Sequence, residues 1–306
     1  MPVRVGVIGS ANMDLIAHTD LVPVAGQNVV GRDFRMVPGG KGANQAVAAA
    51  RLGAHVTFIG KVGADAFGEA LLANLKAEGV DVGLVEITPV VATGTALIVV
   101  DRSGQSALTI CPGANSNLLP EDLDEINDVI EGLDVLIMQL EIPMETVLRG
   151  IAMGRELNVR TVVDAGPPRG QPPAEFFNVS ILSPNQAEAA ALIGRPITNL
   201  GDAEAAAAEF MKRGAESVVI KLGEQGALMA TPQGMRHFGA QKVKVVDTTG
   251  AGDAFTAALA VFVTEGLALP GAVHMANIAG ALATTRPGAQ PAMPTRKEII
   301  AFKGHA

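Results

Sequence analysis

Short apolar runs return at intervals along this chain, and stretches with helical spacing lie between them. Residues 3–8, 55–59, 135–138, 161–163, 180–182 and 217–220 read as strands. Residues 42–52, 67–78, 144–157, 202–213 and 254–265 read as helices. In the second helix Phe67, Leu71, Leu72 and Leu75 recur at the spacing of one helical face. Strands that are apolar on both sides must be covered on both faces, and helices between successive strands supply that cover. The rhythm therefore predicts an α/β fold of three layers, α/β/α, around a mostly parallel central sheet.

Two regions break the rhythm. Residues 28–37 alternate loosely and end in PGGKG. Residues 95–110 hold two strand-like runs, TALIVV and SALTI, joined by DRSGQ, a hairpin with Gly104 in its turn. Neither has a crossover helix beside it. They predict a small antiparallel sheet projecting from the main body, made from about residues 13–38 and 94–112, within a single domain spanning 1–306. A projecting sheet needs its apolar face covered by ligand, by the main body or by a second subunit. The chain shows no internal repeat and no extended linker, and the glycine- and proline-rich stretch 165–173 reads as a loop.

Composition removes several function classes. Hydrophobic residues make up 48% and charged residues 18%, which excludes a disordered chain. Aromatics are only 3%, with no Trp or Tyr, so the core is aliphatic and aromatic cages or base-stacking platforms are excluded. The formal net charge of −8, with no basic run, argues against a nucleic-acid partner. The lone Cys111 can form neither an intrachain disulfide nor a cysteine-rich zinc site. The histidines (His18, His55, His237, His274 and His305) fall at no zinc-ligand spacing. With no signal-like start and no run of 18 apolar residues, a cytoplasmic protein without a membrane partner is expected.

The chemistry concentrates in five segments. In VVDTTGAGDAF a strand is expected to end at Val246, a turn carries Gly250, Ala251 and Gly252, and a helix starts near Asp253. Free backbone N–H groups at such a helix start can hold a phosphoryl group. Asp253 can be the helix cap or the base that takes a hydroxyl proton. PGGKGANQAVAAARLG fails the Walker pattern because Gly42 follows Lys41, yet Gly40, Lys41 and Asn44 bring backbone and polar groups to a helix start. Asn12 and Asp14 follow the first strand, where an Asx turn or a polyhydroxylated ligand explains them. No dinucleotide fingerprint is present, which counts against a nicotinamide dehydrogenase. In SPNQAE, Asn185 and Glu188 stand three apart, as a capping box or as a carboxylate holding the waters of Mg²⁺. IKLGEQGALM reads as strand, turn and strand, a hairpin along which a nucleotide can lie.

Taken in order, GSANMD, PGGKGANQAVAAARLG, PGAN (112–115), MQLE (138–141), SPNQAE, KLGEQG, DTTGAGDAF and TRPGAQPAMP resemble the ribokinase-like, or PfkB, family of carbohydrate kinases, over nearly the whole chain. The resemblance implies an ATP-dependent sugar kinase that uses Mg²⁺ and is activated by K⁺. It places Asn12, Asp14, Gly40, Lys41, Asn44, Glu141 and Asp253 around the sugar, with Asp253 as general base. It sets Asn185 near the ATP phosphates and Glu188 near Mg²⁺. Lys221, Gly223 and Gly226 lie along the nucleotide, Gly250, Ala251 and Gly252 form the anion hole, and Asn277 approaches the adenine. The monovalent cation falls to Asp247, Thr249, Ala283, Arg286, Gly288 and Ala292, several through backbone oxygen alone. The small sheet becomes a lid over the sugar and a homodimer interface.

Two positions depart from the family pattern: Ala292 stands where Ser is frequent, and Asp164, in DAGPP, stands where Asn is frequent. Glu141, with Asp14 and Asn44, makes a polar, acidic pocket that suits neutral hydroxyls better than a sugar phosphate. Phe34 and Ile110 are the available apolar wall for a nucleoside base. D-Ribose, phosphorylated at its 5-hydroxyl, is the expected acceptor, with deoxyribose, fructose or a nucleoside as alternatives. A sugar-binding protein without transfer activity is the non-enzyme alternative, and it has no need of Asp253 and the glycine turn.

Overall fold

The computed structural model describes residues 2–168 and 170–303, so His305 lies outside the described residues. The first half of the chain runs β1 (Arg4–Ile8), β2 (Asn12–His18), β3 (Asp33–Gly39), α1 (Lys41–Arg51), β4 (His55–Gly63), α2 (Ala66–Ala77), β5 (Asp81–Thr88), β6 (Gly94–Val100) and β7 (Ser106–Cys111). Two short helices, α3 (Pro120–Asp124) and α4 (Asn127–Glu131), lead to β8 (Val135–Met138), α5 (Met144–Glu156) and β9 (Arg160–Val163). After β10 (Ile181–Leu182) come α6 (Gln186–Ile193), α7 (Leu200–Arg213), β11 (Ser217–Lys221), β12 (Ala227–Thr231) and β13 (Gly234–Phe238). Helices α8 (Ala251–Thr264), α9 (Leu269–Ala283) and α10 (Arg296–Ala301) complete it.

Nine strands form the central sheet in the order β13-β12-β11-β10-β9-β8-β1-β4-β5. All neighbours from β5 to β11 are parallel, and β12 and β13 turn back antiparallel at one edge. The alternation of buried residues explains the layers. Val5, Val7, Val135 and Ile137 face one core with α1, α8 and α9. Ile8, Leu136 and Met138 face the other core with Val147, Ile151, Ala206 and Phe210 of α5 and α7. The three-layer expectation holds. Strand order reverses at β1, which sits between β4 and β8, and such a switch point opens a crevice beyond the carboxyl ends of the strands.

The small sheet has the order β3-β2-β6-β7. Its outer pairs are antiparallel hairpins, as expected, while the central pair β2–β6 is parallel. Both central strands leave the main body in the same direction, and each returns through its own partner. Of the two explanations for Asn12 and Asp14, an Asx turn or a polyhydroxylated ligand, the turn does not hold, since both lie on β2. Its period-2 pattern is masked because Asn12 and Asp14 are polar on the face that carries them. The register sets Asp14 beside Val37 and Ala96, with Ala96 beside Ile110, so Ile110 shares the face of Asp14. Phe34 pairs with Ala17 and lies on the opposite face, so it supplies no wall on the Asp14 side.

One expected strand is absent. Residues 241–246 are irregular, and Val245 and Val246 are 58% and 57% exposed. The chain has already left the sheet edge at β13, and the Val246 N–H is satisfied by the Thr284 carbonyl at 2.8 Å. No helix among the described residues is long and apolar enough to cross a membrane.

Candidate active site

The loops at the switch point converge on the N-termini of α1 and α8. Helix α1 starts at Lys41 after Gly40, which holds φ at +89°. A Cβ on Gly40 would stand 2.7 Å from the Asn12 nitrogen, so only glycine lets the helix start approach the β1–β2 turn. Small residues continue the approach. Gly42, Ala43, Ala46 and Ala49 are buried on α1, as are Ala254, Ala257 and Ala258 on α8.

Asp253 is the third residue of α8, and the cap is Gly250, with φ of +75° and no side-chain cap bond. The capping reading of Asp253 is therefore overturned. Its carboxylate reaches across to α1, where Oδ2 accepts from Asn44 Nδ2 at 2.9 Å and Oδ1 accepts from Gln45 Nε2 at 3.0 Å. Burial pushes Asp253 above the usual carboxylate range; Lys41 and the two amides oppose this shift and Asp164 adds to it. The first turn of α8 leaves the N–H groups of Gly252 and Asp253 without intrahelical acceptors, whereas the Ala251 N–H is taken up by the Thr248 carbonyl.

Lys41 lies at the centre of the acidic groups. Its Nζ is 3.4 Å from Asp164, 3.7 Å from Asp253 and 3.8 Å from Glu188. Burial alone would depress the ammonium, but the carboxylates of Asp164, Asp253, Glu188 and Glu141 outweigh it and hold Lys41 above the ordinary lysine range. Its backbone N–H donates to Glu141 Oε2 at 3.0 Å. Ser10 Oγ and Asn12 Nδ2 donate to the same oxygen at 2.5 and 3.5 Å. Asn115 Nδ2 donates to Asn12 Oδ1 at 2.7 Å and so fixes the Asn12 amide. Asp14 faces this group from β2; burial, then Glu141 and Asp253, push its carboxyl up to about 7.

Asp164, the departure from the family pattern, follows β9 and is fully buried. Its Oδ2 accepts from Lys221 Nζ at 3.1 Å, Gln45 Nε2 at 3.0 Å and Thr256 Oγ1 at 3.4 Å, beside Lys41. Burial would raise it, but Lys221 and Lys41 hold it below the usual range. Lys221 ends β11 and points inward, its Nζ also 3.2 Å from Thr256 Oγ1. The added charge of Asp164 is thus neutralised within the fold.

Asn185 and Glu188 do form the capping box on α6: Glu188 Oε2 accepts from the Asn185 N–H at 2.7 Å, and Asn185 Oδ1 accepts from the Glu188 N–H at 2.8 Å. The cap and the site role coexist, because Oε1 is left facing Lys41. Burial, then Asp164, raise Glu188, with Lys221 and Lys41 opposing.

The remaining expected residues frame the site without entering this cluster. Gly223 lies in the exposed turn between β11 and β12. A Cβ on Gly226 would meet the Phe238 carbonyl at 2.0 Å. Asn277 of α9 donates to the Gly239 carbonyl at 3.0 Å and holds the chain after β13. Asp247 joins two loops: it accepts from the Thr249 N–H at 2.9 Å and Oγ1 at 2.6 Å, and from the Gly288 N–H at 2.8 Å. These bonds hold it below the usual range against burial. Ala283 ends α9, Arg286 pairs with Glu298, and Ala292 is buried beyond Gly288. Gly250 abuts Ala289, so the 284–292 loop backs directly onto the start of α8. Ser10, Gln45, Asn115, Gln139 and Thr256 were missed as site residues. They are uncharged polar side chains in apolar or small-residue contexts; Ser10, Gln45, Asn115 and Gln139 lie within the GSANMD, KGANQA, PGAN and MQLE segments, but nothing in those segments singled them out.

Comparison with known proteins bears on the same constellation. The model of the pfkB family carbohydrate kinase matches residues 4–296. A ribokinase of Bacillus subtilis (strain 168) is 39% identical over 295 residues, covering 96% of this chain and 97% of its own. A deoxyribokinase of Salmonella typhi is 32% identical over 296 residues, covering 96% and 97%. The structure of Arabidopsis thaliana ribokinase complexed with ribose and ATP superposes with a TM-score of 0.92 at 31% identity, covering 98% of both chains.

Proposed function

The chain belongs to the pfkB family of carbohydrate kinases, and on that premise we propose that it transfers the γ-phosphoryl group of ATP to the 5-hydroxyl of D-ribose. The observation that carries this reading is the placement of Asp253. It is a buried carboxylate freed from capping, held by two amides, at a helix start where unpaired N–H groups and two lysines meet.

Asn12, Asp14, Glu141 and Asn44 offer acceptors and donors to the sugar hydroxyls, and Gly40 lets the ring approach backbone. Asp253 takes the proton of the 5-hydroxyl as that oxygen bonds to the γ-phosphorus. The bond from phosphorus to the bridging oxygen breaks, and ADP leaves. The N–H groups of Gly252 and Asp253, with Lys41 and Lys221, steady the charge on the phosphoryl oxygens. The fully paired Lys41–Asp164–Lys221 set supports this role, because both ammonium groups are fixed before any phosphate arrives.

Mg²⁺ fits the carboxylate chemistry here. Glu188 keeps one oxygen out of its capping box, and the buried Asp164 Oδ1 has no hydrogen-bond partner among the described residues. When bound with ATP the ion neutralises phosphate oxygens. We assign Asn185 to the phosphate side, Gly223 and Gly226 to the nucleotide run, and Asn277 to the adenine side. K⁺ is assigned to the Asp247–Thr249 and Ala283–Ala292 loops, where Asp247 already ties Gly288 to Thr249. The four-stranded sheet acts as the lid, and Phe34, Met36 and Leu97 are exposed apolar side chains on its face away from Asp14 that a second subunit can cover in a homodimer. On the same reading we assign the reaction to the cytoplasm.

The test is a panel of ribose, deoxyribose, fructose and adenosine with ATP, read as ADP release. The highest kcat/KM is expected for ribose, and a preference for adenosine or fructose contradicts the assignment. A preference for deoxyribose replaces the acceptor and leaves the chemistry intact.

A further inference from the structure

Gln45 has no surface open to solvent, so no ligand can touch it. Yet its side chain is bonded at every polar position that matters. Nε2 donates to Asp164 Oδ2 at 3.0 Å and to Asp253 Oδ1 at 3.0 Å, and Oε1 accepts from Gln139 Nε2 at 2.7 Å. An amide nitrogen carries two hydrogens, and each here serves a different carboxylate. The amide with its oxygen and nitrogen exchanged would aim an oxygen at two carboxylate oxygens that accept, so one orientation is enforced. Gln139, itself fully buried after β8, holds the far end. Gln45 thus spans two like charges and ties the proposed base to the sheet through β8 and β9.

The other support of Asp253 is Asn44, which holds Oδ2. One bond to Oδ2 keeps the carboxylate in the pocket but leaves it free to turn about that bond. The second, on Oδ1, fixes the plane and therefore the direction of the lone pairs offered to the acceptor hydroxyl.

Resting on the assignment of Asp253 as base, we propose that Gln45 is a positioning residue for phosphoryl transfer, held in register by Gln139 and Asp164, and setting the orientation of Asp253 without touching either substrate. The prediction differs from that for a sugar ligand. Removing the bond should lower kcat and leave sugar affinity nearly unchanged, because a misaligned base is felt only once the proton moves.

Gln45→Met keeps length and volume and removes the donor. A hydrogen bond to a charged group contributes about 1.5–3 kcal/mol, which corresponds to a fall of roughly 10–100-fold in kcat. Ribose affinity by calorimetry should stay within about 3-fold, well under the 1.4 kcal/mol of a tenfold change. In an Asp253→Asn background the same substitution should add little, since its partner is already altered. Unchanged kcat, affinity lost in proportion to kcat, or the same fall in the Asp253→Asn background would each overturn the proposal. If Gln45→Met does not fold, Gln139→Leu removes the outer bond. A smaller fall in kcat at constant affinity supports the proposal, and no fall overturns it. The wild-type protein assayed alongside separates the failures. An inactive wild type removes the kinase reading and this inference with it, and an active wild type with an indifferent Gln45→Met removes this inference alone.

Discussion

Asp14→Asn should stabilise the protein above neutral pH while weakening sugar binding. Asp14 sits with Glu141 and Asp253 in one pocket, and its carboxyl is pushed up from the ordinary 3.8 to about 7 by burial and by those two charges. The sign follows from proton binding. Between the unfolded value near 4 and the folded value near 7 the native state holds the extra proton, so the contribution is fully present below about pH 4, falls steadily as pH rises, and is gone once pH passes about 7. The separation corresponds to about 4 kcal/mol at most, and water reaching part of the side chain reduces it to about 1–3 kcal/mol. For a chain of 306 residues the unfolding entropy is about 0.6 kcal/mol/K, so 2 kcal/mol moves Tm by about 3 °C. Thermal unfolding of wild type and Asp14→Asn between pH 5 and 8.5 is the assay. The Tm advantage of the variant should be about a third of its full size at pH 5 and reach its full few degrees between pH 7 and 8.5. A difference independent of pH, or one that shrinks as pH rises, refutes the reasoning. In the same samples KM for ribose should rise by roughly 10-fold or more, the cost of about one charged hydrogen bond.

Two further outcomes follow from the charge network. Asp164→Ala strips the shared partner from Lys41 and Lys221, and denaturant unfolding should show a loss of about 3–5 kcal/mol, as for a broken buried pair; a loss under about 1 kcal/mol contradicts the pairing seen at 3.1 and 3.4 Å. K⁺ should stimulate turnover relative to Na⁺ despite Ala292, and Asp247→Ala should bring the ratio of the two rates toward one, since Asp247 links Thr249 to Gly288; equal rates in the wild-type protein remove the cation assignment.

Much of this was legible in the chain because apolar alternation is a local property. Residues 5–8 and 135–138 carry no polar side chain because both faces of β1 and β8 are covered, and such short runs alternating with helical stretches point to a buried parallel sheet. The hairpin at Gly104 was equally local. What was hidden depends on partners far along the chain. β2 carries Asn12 and Asp14 on the face turned toward the site, so its alternation reads as a polar turn until Gly39, Gly94 and Glu141 are brought beside it. Val245 and Val246 look like a strand but have no neighbour to pair with. Asp253 was found through its glycine turn, yet that it does not cap the helix shows only once Asn44 and Gln45, 209 and 208 positions away, are brought to its carboxylate. Gln45 and Gln139 leave no spacing signature at all, because an amide that bridges two carboxylates is defined by the space between loops. Lys221 was set along the nucleotide by the family resemblance of KLGEQG, and its inward direction comes from Asp164, whose charge the sequence could only flag as unusual.

The central claim is that Asp253 moves the proton of a bound pentose. The direct measurement is single-turnover phosphoryl transfer from ATP to ribose by Asp253→Asn, with ribose binding followed by calorimetry on the same preparation. The account predicts a folded variant that binds ribose within about 10-fold of wild type and transfers phosphate about 10²–10⁴-fold more slowly. Transfer at a rate near that of wild type would contradict it.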